Sequence, residues 1–254
     1  MNPTKAVTTA TVIRWTVSVV LFFVVWEIVG RRGDYTAIKP FSQVAGQLWS
    51  AMTVDGGLWR ATAGTLGIAL AGYAVAVVVG VAVGYLTGSS PVAAATLDPL
   101  VNAAYATPVY MVIPVLGIYL GLEFAGKVFL VVVFAVFVVI INTSAGVRQV
   151  PPGLLEMATS FRLTRAQKLR RIILPSAAPY IATGMRLAAG LSVQGAIVGE
   201  LLLRVDNLGL QLLNAGSSFQ IARLLAMSFF IAMLATATML LARWAERRVI
   251  RWPR

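Results

Sequence analysis

Long runs of residues that carry no charge constrain this chain more than any other feature of its sequence. Four such runs lie at 61–97, 99–122, 128–147 and 224–242. A helix that crosses a lipid bilayer needs about 20 predominantly apolar residues, a length that these runs supply. The sequence therefore predicts membrane-spanning helices and places the chain in the lipid bilayer.

Two weaker apolar stretches complete the set of predicted spans. The stretch 12–30 tolerates Arg14 and Glu27 near its ends, and the stretch 177–200 is interrupted by Arg186. Apolar residues make up 59% of the chain and charged residues 12%, and the mean hydropathy is +0.83. In soluble domains, about a quarter of the residues are charged. We therefore predict an all-α polytopic transmembrane helical bundle of six spans.

The net charge of +12 has its simplest explanation in membrane topology rather than in a nucleic acid partner. More of the Lys and Arg residues lie on the inside if both termini are cytoplasmic. Residues 31–60 then lie outside, and apolar residues at helical spacing in 41–49 favour a helix on the membrane surface. A docking surface for an external protein is the alternative. We assign 1–60 to an N-terminal span with an external interfacial helix and 61–250 to the transmembrane domain.

Small residues form a stripe along one face of the second span and recur in the fifth. Lipid gives no hydrophobic drive for helix association, so small residues that let backbones approach closely supply much of the packing energy. We expect these faces, and the pair Gly117 and Gly121 in the third span, to contact neighbouring helices; the faces comprise Gly72, Ala76, Gly80, Gly84 and Gly88, and then Gly195 with Gly199.

The residue types that carry most enzyme chemistry are missing. The chain contains no cysteine and no histidine, and its nine acidic residues are scattered singly. Thiolate and imidazole metal sites and His-assisted nucleophiles are therefore excluded, and we expect neither an enzyme nor a cofactor. Residues 121–128 come within one residue of a phosphate-binding loop, but Val128 cannot supply the hydroxyl that such a loop offers to magnesium. We do not expect this chain to bind ATP itself.

Prolines interrupt the third predicted span at Pro108 and Pro114. Proline bends helices and frees carbonyl groups, and irregular backbone at membrane depth survives only against protein or water. Pro108, together with Met111, is therefore predicted to line a translocation path. An inert kink is the alternative reading of the same prolines.

Polar residues in the fifth span give a second set of candidates for this path. Ionisable residues inside a membrane are functional hypotheses by default, which draws attention to Glu200. Ser192 and Gln194 lie between Arg186 and Glu200 and are predicted to face the cavity with it. Alternatively, the charged residues reach the membrane boundary or pair with a neighbouring span.

A polar, basic block at 156–175 separates the fourth and fifth spans. Its pattern predicts two short helices, the first from Leu154 to about Phe161. Thr164 and Gln167 match a capping box that opens the second. Pro175 and Pro179 are predicted to end that helix and to begin the fifth span. By periodicity alone, the block is also compatible with an amphipathic helix on the membrane surface.

The block resembles the cytoplasmic loop of the membrane permease subunits of binding-protein-dependent ABC importers. That loop carries Glu-Ala-Ala-x3-Gly-x9-Ile-x-Leu-Pro, and the spacing is intact here. Five positions match it, namely Glu156, Ala158, Ile172, Leu174 and Pro175. Met157 and Arg162 depart from it. Arg162 replaces a glycine that would permit a left-handed turn, a conformation that arginine adopts less readily.

Other segments are similar to the branch of these importers that carries nitrate, sulfonates, taurine and related compounds. They lie at 106–108, 113–114, 142–147, 184–188, 198–200 and 207–211. The resemblance implies a type I ABC importer permease fold in the inner membrane of a bacterium. It also implies a second permease copy, as a homodimer, two cytoplasmic ATPase subunits, and an external binding protein. The implied substrate is a small organic or inorganic anion or a related small molecule, moved by alternating access.

The same resemblance assigns ATPase docking to a coupling loop at 148–176. The residues concerned are Glu156, Met157, Ala158, Thr159, Phe161, Arg162 and Leu163. Glu156 is predicted to make a polar contact to the ATPase; alternatively, its carboxylate only favours the helix N-terminus. An ion-gradient-driven secondary transporter or channel is the competing function, but the sequence has neither a repeat nor a central carboxylate that would favour it.

Overall fold

The computed structural model describes residues 9–32, 38–54, 56–111, 116, 119, 124–204 and 207–249. These residues are helical almost throughout, with no strand among them. The helices are α1 (Thr9–Arg32), α2 (Phe41–Thr53), α3 (Gly57–Ser89), α4 (Pro91–Ala106), α5 (Phe124–Arg148), α6 (Pro152–Ser160), α7 (Arg165–Lys168), α8 (Leu174–Leu203), α9 (Leu208–Ser217) and α10 (Ile221–Val249). A π turn at Leu169–Ile173 joins α7 to α8.

Within the described residues, five helical segments are long and apolar enough to cross a membrane. They correspond to five of the six predicted spans. The predicted third span at 99–122 falls on α4 and on the residues after it, of which Pro114 and several others lie outside the described ranges. Helix α4 begins earlier than predicted because Ser90 caps it, accepting a hydrogen bond from Ala93 N–H at 3.3 Å. Pro91 suits the first turn.

The chain divides into two compact units. The first contains Met1–Trp59 and Gln211–Phe230. Its helices α1 and α2 meet at a corner where both Glu27 carboxylate oxygens accept hydrogen bonds from Ser42, one from the N–H at 2.9 Å and one from the hydroxyl at 2.8 Å. Phe23, Trp26 and Phe41 pack together at the same corner. The prediction that 41–49 is helical is confirmed, and its place on the membrane surface stays a prediction.

The second unit contains Arg60–Leu210 and Ile231–Arg254. At its centre, α5 lies between α3 and α8. The predicted stripe of small residues on α3 packs on α5 throughout its length, because Gly72 faces Val131, Gly80 faces Val139 and Gly84 faces Thr143. From α8, Gly195 packs on Phe134 and Gly199 on Leu130. The expectation that these glycines form helix contacts is confirmed, whereas Gly117 and Gly121 lie outside the described residues.

The prediction that Pro175 and Pro179 end a short helix is wrong. Helix α7, the π turn and α8 form one continuous segment, Arg165–Leu203. Proline lacks the N–H of a regular helix and its ring crowds the preceding turn. The wider π turn immediately before Pro175, in which Leu174 N–H donates to the carbonyl of Leu169, absorbs this mismatch. The helix therefore passes through both prolines.

Replacing Gly80 by alanine should destabilise the chain by about 1–3 kcal/mol, because the added Cβ would lie 2.6 Å from Cβ of Val139. Gly67 on the same helix is the matched control, since a Cβ there meets no atom within 4 Å. Thermal unfolding of the two purified variants in detergent tests the difference. A Gly80→Ala variant as stable as Gly67→Ala would contradict the close α3–α5 contact.

Candidate functional site

Helix α6 ends in a left-handed residue, Arg162, whose φ is 52°. Arg162 N–H donates to the carbonyl of Thr159 and Leu163 N–H donates to the carbonyl of Ala158, both at 2.9 Å. These two bonds define a Schellman motif, which normally has glycine at the left-handed position. Arg162 thus adopts the left-handed turn that glycine adopts more readily. The Cβ of arginine gives this conformation a steric cost.

A small core lies beneath α6. Its buried members are Val150, Ala158 and Ile172, and Leu155 and Leu163 pack against them. Val150 lies just after α5, Ala158 on α6 and Ile172 in the π turn that leads into α8. The positions Ala158 and Ile172 of the sequence motif, far apart along the chain, therefore occupy the same core.

The other side of α6 exposes large apolar side chains. Leu154, Met157 and Phe161 follow one another at helical spacing, and Phe161 is 74% exposed. Glu156, Thr159 and Arg162 are also exposed, whereas Ala158 is buried and Leu163 is half-buried. Exposed apolar groups that follow one face of a helix indicate an interaction site. Of the seven predicted docking residues, the structure therefore leaves five accessible.

The start of the second short helix is built as the sequence predicts. The Thr164 side chain accepts a hydrogen bond from Gln167 N–H at 3.3 Å, and Thr164 N–H donates to Gln167 Oε1 at 2.9 Å. This reciprocal pair is a capping box. Lys168 Nζ donates to the Thr159 hydroxyl at 2.9 Å and so joins this helix to α6.

An ion pair that the sequence did not reveal lies next to this block. Arg148, the last residue of α5, donates through Nη2 to Asp98 Oδ2 at 2.6 Å and to the carbonyl of Thr87 at 3.2 Å. It therefore ties the end of α5 to α4 and to the end of α3. The isolated carboxylate of Asp98 in an apolar stretch was the available signal, but nothing in the sequence named its partner.

The predicted path residues of the third span lie at a helix break. Helix α4 ends at Ala106, and residues 109–111 are helical again after Pro108. Met111 N–H donates to the carbonyl of Pro108 at 3.0 Å, and both side chains are exposed. Tyr110 packs edge-on against Phe134 of α5.

The predicted path residues of the fifth span lie on different faces of α8. Gln194 is exposed, whereas Ser192 and Glu200 are buried. The Ser192 hydroxyl donates to the carbonyl of Ala188 at 2.7 Å. Because Gln194 alone of the three is accessible in one chain, the structure separates residues that the sequence grouped.

Glu200, 1% exposed, holds three segments together. Its carboxylate accepts hydrogen bonds from the Thr65 hydroxyl of α3 at 3.0 Å, from Asn207 Nδ2 at 2.9 Å and from Gly209 N–H of α9 at 3.0 Å. Close packing supports this geometry, since a Cβ on Gly209 would lie 2.6 Å from Cβ of Glu200. Its donors come from two parts of the chain, Thr65 on α3 and the segment 207–209, so the sequence pattern could not reveal this role.

Comparison with known proteins places the chain in a family. The sequence profile described as "Binding-protein-dependent transport system inner membrane component" matches residues 76–251, which include α4 to α8. The chain belongs to this family. It is therefore a transport component of the inner membrane. The matched region includes the polar block and its motif.

Individual relatives agree with this assignment. This inner membrane component is 30% identical over 238 residues to the riboflavin transport system permease protein RibX of Chloroflexus aurantiacus, covering 93% of this chain and 88% of the relative. It is 27% identical over 238 residues to the nitrate import permease protein NrtB of Synechocystis sp., covering 91% and 86%. A solved amino acid ABC transporter with histidines shares the fold, with a TM-score of 0.61 and 18% identity over 80% of this chain and 97% of that one.

Replacing Arg162 by glycine should stabilise the end of α6 by about 1 kcal/mol, because glycine adopts the left-handed conformation without steric cost. Arg165→Gly, the same change inside α7, is the control and should destabilise the block. Amide hydrogen exchange at 158–163 in the purified variants would record both effects. Faster exchange in Arg162→Gly would contradict the Schellman geometry.

Replacing Glu200 by alanine should cost about 1–3 kcal/mol for each donor left unsatisfied in the buried site. The thermal midpoint in detergent should fall markedly. Gln194→Ala, on the exposed face of the same helix, should leave it nearly unchanged. Equal stability of the two variants would show that the Glu200 hydrogen bonds do not hold α3, α8 and α9 together.

Proposed function

We propose that this chain is the permease subunit of an ABC importer that couples a translocation path to separate cytoplasmic ATPase subunits through α6. The observation that carries the proposal is the pair of opposite faces on α6. One face is fixed in a core shared with α5 and the π turn, and the other exposes Leu154, Met157 and Phe161. A helix built in this way can bind a partner and transmit its movement.

The outer face of α6 has the composition of a docking site. Aromatic residues and methionine are enriched at the centres of interfaces and carry much of the binding energy. Phe161 and Met157 offer such anchors, and the exposed carboxylate of Glu156 lies beside them. We assign the ATPase contact to these residues, with Thr159, Arg162 and Leu163 around them. ATP hydrolysis then belongs to two ATPase copies, one for each permease.

The inner face connects α6 to the spanning helices. Ala158 packs with Val150 after α5 and with Ile172 before α8, so a displacement of α6 moves both packed neighbours. The Schellman motif and the capping box make the block stiff, and the Arg148–Asp98 ion pair extends the connection to α4. Packed elements with two discrete arrangements are the usual means of switching. We therefore assign α6 the role of the lever for alternating access.

We assign the translocation path to residues whose side chains are exposed in the single chain. Gln194 lies on an exposed face of a spanning helix, where an amide in contact with lipid would be costly. A second copy of this chain, facing the first across a polar path, would remove that cost. Pro108 and Met111 at the helix break are the other accessible candidates. Ser192 and Glu200, which are buried, are assigned a supporting role in the packing of α8 behind the path.

Topology and substrate complete the proposal. The excess of Lys and Arg residues in the polar block and at the end of α10 favours cytoplasmic termini and a cytoplasmic α6. An external binding protein delivers the substrate, as the family description implies. The nitrate and riboflavin relatives span an inorganic anion and an organic solute. We therefore propose a small organic or inorganic anion, or a related small molecule, as the cargo.

Replacing Phe161 by alanine should weaken ATPase binding by about 2 kcal/mol, roughly a 30-fold loss, because the exposed anchor is removed. Glu156→Arg should abolish ATPase association and uptake while the chain stays in the membrane. Co-purification in mild detergent, with companions identified by mass spectrometry, measures this association.

The control is Phe219→Ala, which removes an equally exposed aromatic from the connection after α9. It should leave ATPase association intact. Full association of Phe161→Ala and Glu156→Arg would rule out α6 as the docking element. Recovery of the chain without an ATPase, still transporting without ATP, would overturn the importer proposal itself.

A further inference from the structure

A cavity of about 460 Å³ lies in the second unit between α3, α8 and α10. Its walls are almost entirely apolar and include Leu66 and Leu70 of α3, Ala189 and Val193 of α8, and Leu241 and Ala242 of α10. This volume falls within the roughly 300–1,000 Å³ of small-molecule sites. Of the three hydroxyls in its wall, those of Ser192 and Thr238 donate to the backbone carbonyls of Ala188 and Ala235, which leaves the Tyr73 hydroxyl as the third in an otherwise largely apolar lining. The body of an occupant must therefore be apolar.

One end of the cavity carries a loose ion pair. Arg186 Nη1 lies 3.9 Å from Glu246 Oε2, too far for a hydrogen bond, while Arg186 Nη2 donates to the Thr183 hydroxyl at 3.1 Å. Glu246 Oε2 is buried and has no hydrogen-bond donor among the described residues. A buried carboxylate oxygen normally has a donor, so this end lacks one.

The ion pair lies at the height of the membrane boundary. Trp244, two residues before Glu246, is 57% exposed, and the Arg248 guanidinium lies over its ring at 4.6 Å from the centroid. Exposed tryptophan and arginine at the end of a spanning helix mark the headgroup level. From this level, the cavity follows α8 between Ala182 and Val193 and α10 from Glu246 back to Thr238, towards the hydrocarbon.

We propose that this cavity binds a phospholipid whose headgroup carries both a phosphate and a primary ammonium, with an acyl chain in the apolar part. The Arg186 guanidinium pairs with the phosphate, for which its planar donors are suited. The ammonium pairs with the Glu246 carboxylate, which lies in the cavity wall, and supplies the donor that this carboxylate lacks after a small side-chain rotation. The negative phosphate of the lipid thus meets the positive Arg186, and the positive ammonium meets the negative Glu246.

Other membrane lipids fit this end less well. A phosphatidylglycerol would place its negative charge near Glu246 without an ammonium to offset it. A phosphatidylcholine has the positive charge, but its trimethylated nitrogen has no N–H to donate. The decisive group is therefore the primary ammonium, and the site differs from the coupling surface on α6 in both position and ligand.

The test uses the full-length chain, delipidated in detergent and exposed to equal amounts of phosphatidylethanolamine, phosphatidylcholine and phosphatidylglycerol with identical oleoyl chains. Native mass spectrometry counts each retained lipid. We expect the chain to retain about ten times more phosphatidylethanolamine than either of the other two lipids, because one charge-assisted hydrogen bond changes the affinity by that factor. Equal retention of the three lipids would overturn the proposal.

Three variants locate the binding. Glu246→Gln should abolish the preference for the primary ammonium, and Ala242→Phe should fill the cavity and abolish lipid retention. Ala232→Phe, on an exposed part of the same helix, is the matched control and should bind as the unchanged chain does. Retention by Ala242→Phe equal to that of Ala232→Phe, with both variants monodisperse, would contradict the assignment to this cavity.

A second copy of the chain is the competing occupant of this face. Because the chain has no cysteine, Ala242→Cys introduces a single thiol into the cavity wall. We expect oleoyl phosphatidylethanolamine to protect this thiol from a maleimide, whereas phosphatidylcholine should not. Efficient cross-linking between the thiols of two copies would show that the cavity faces the partner and would overturn the proposal.

Discussion

Close contact between helix backbones holds the second unit together. In lipid, neighbouring helices gain nothing from removing apolar surface from water, so van der Waals contact must supply the attraction. Gly80 and Gly84 of α3 allow that contact with α5, and Gly195 of α8 allows it from the other side. The remaining features of the unit depend on it, since α5 carries both Arg148 and the connection to α6.

The proposed coupling element is a stiff structure made from short pieces. Helix α6 has nine residues, too few to be stable alone. It is held by the Schellman bonds at Arg162, by the core around Ala158 and by the Lys168–Thr159 hydrogen bond. The continuous helix from Arg165 to Leu203 then joins this element directly to a membrane span. For the proposed lever, continuity through Pro175 is the required connection, since a break there would separate α6 from the span.

The polar groups of α8 have separate roles that depend on small differences in position. Glu200 is fully used in holding α3, α8 and α9 together, while Gln194, less than two turns away, stays exposed. Arg186, fourteen residues before Glu200, points to nearly the same side of α8 but lies about 21 Å away along the helix axis, beside α10 and Glu246. A single helix thus contributes to internal packing, to the proposed path and to the proposed lipid site. The rotation of about 100° per residue turns Gln194 away from Glu200, whereas distance along the helix axis separates Arg186 from Glu200.

The sequence by itself determined the membrane class, the spans other than the third, the glycine faces and the capping box, because hydrophobic length, small-residue spacing and capping are local properties. The motif in the polar block also indicated the family, which the profile match confirms. Only the tertiary structure decided that Pro175 lies within a continuous helix, that Arg162 adopts a left-handed turn, and that Glu200 and Ser192 are buried while Gln194 is not. These outcomes depend on partners distant in sequence, such as Thr65 for Glu200 and Ile172 for Ala158. Periodicity places a residue on a helix face, but the neighbouring helix decides whether that face meets protein, lipid or water.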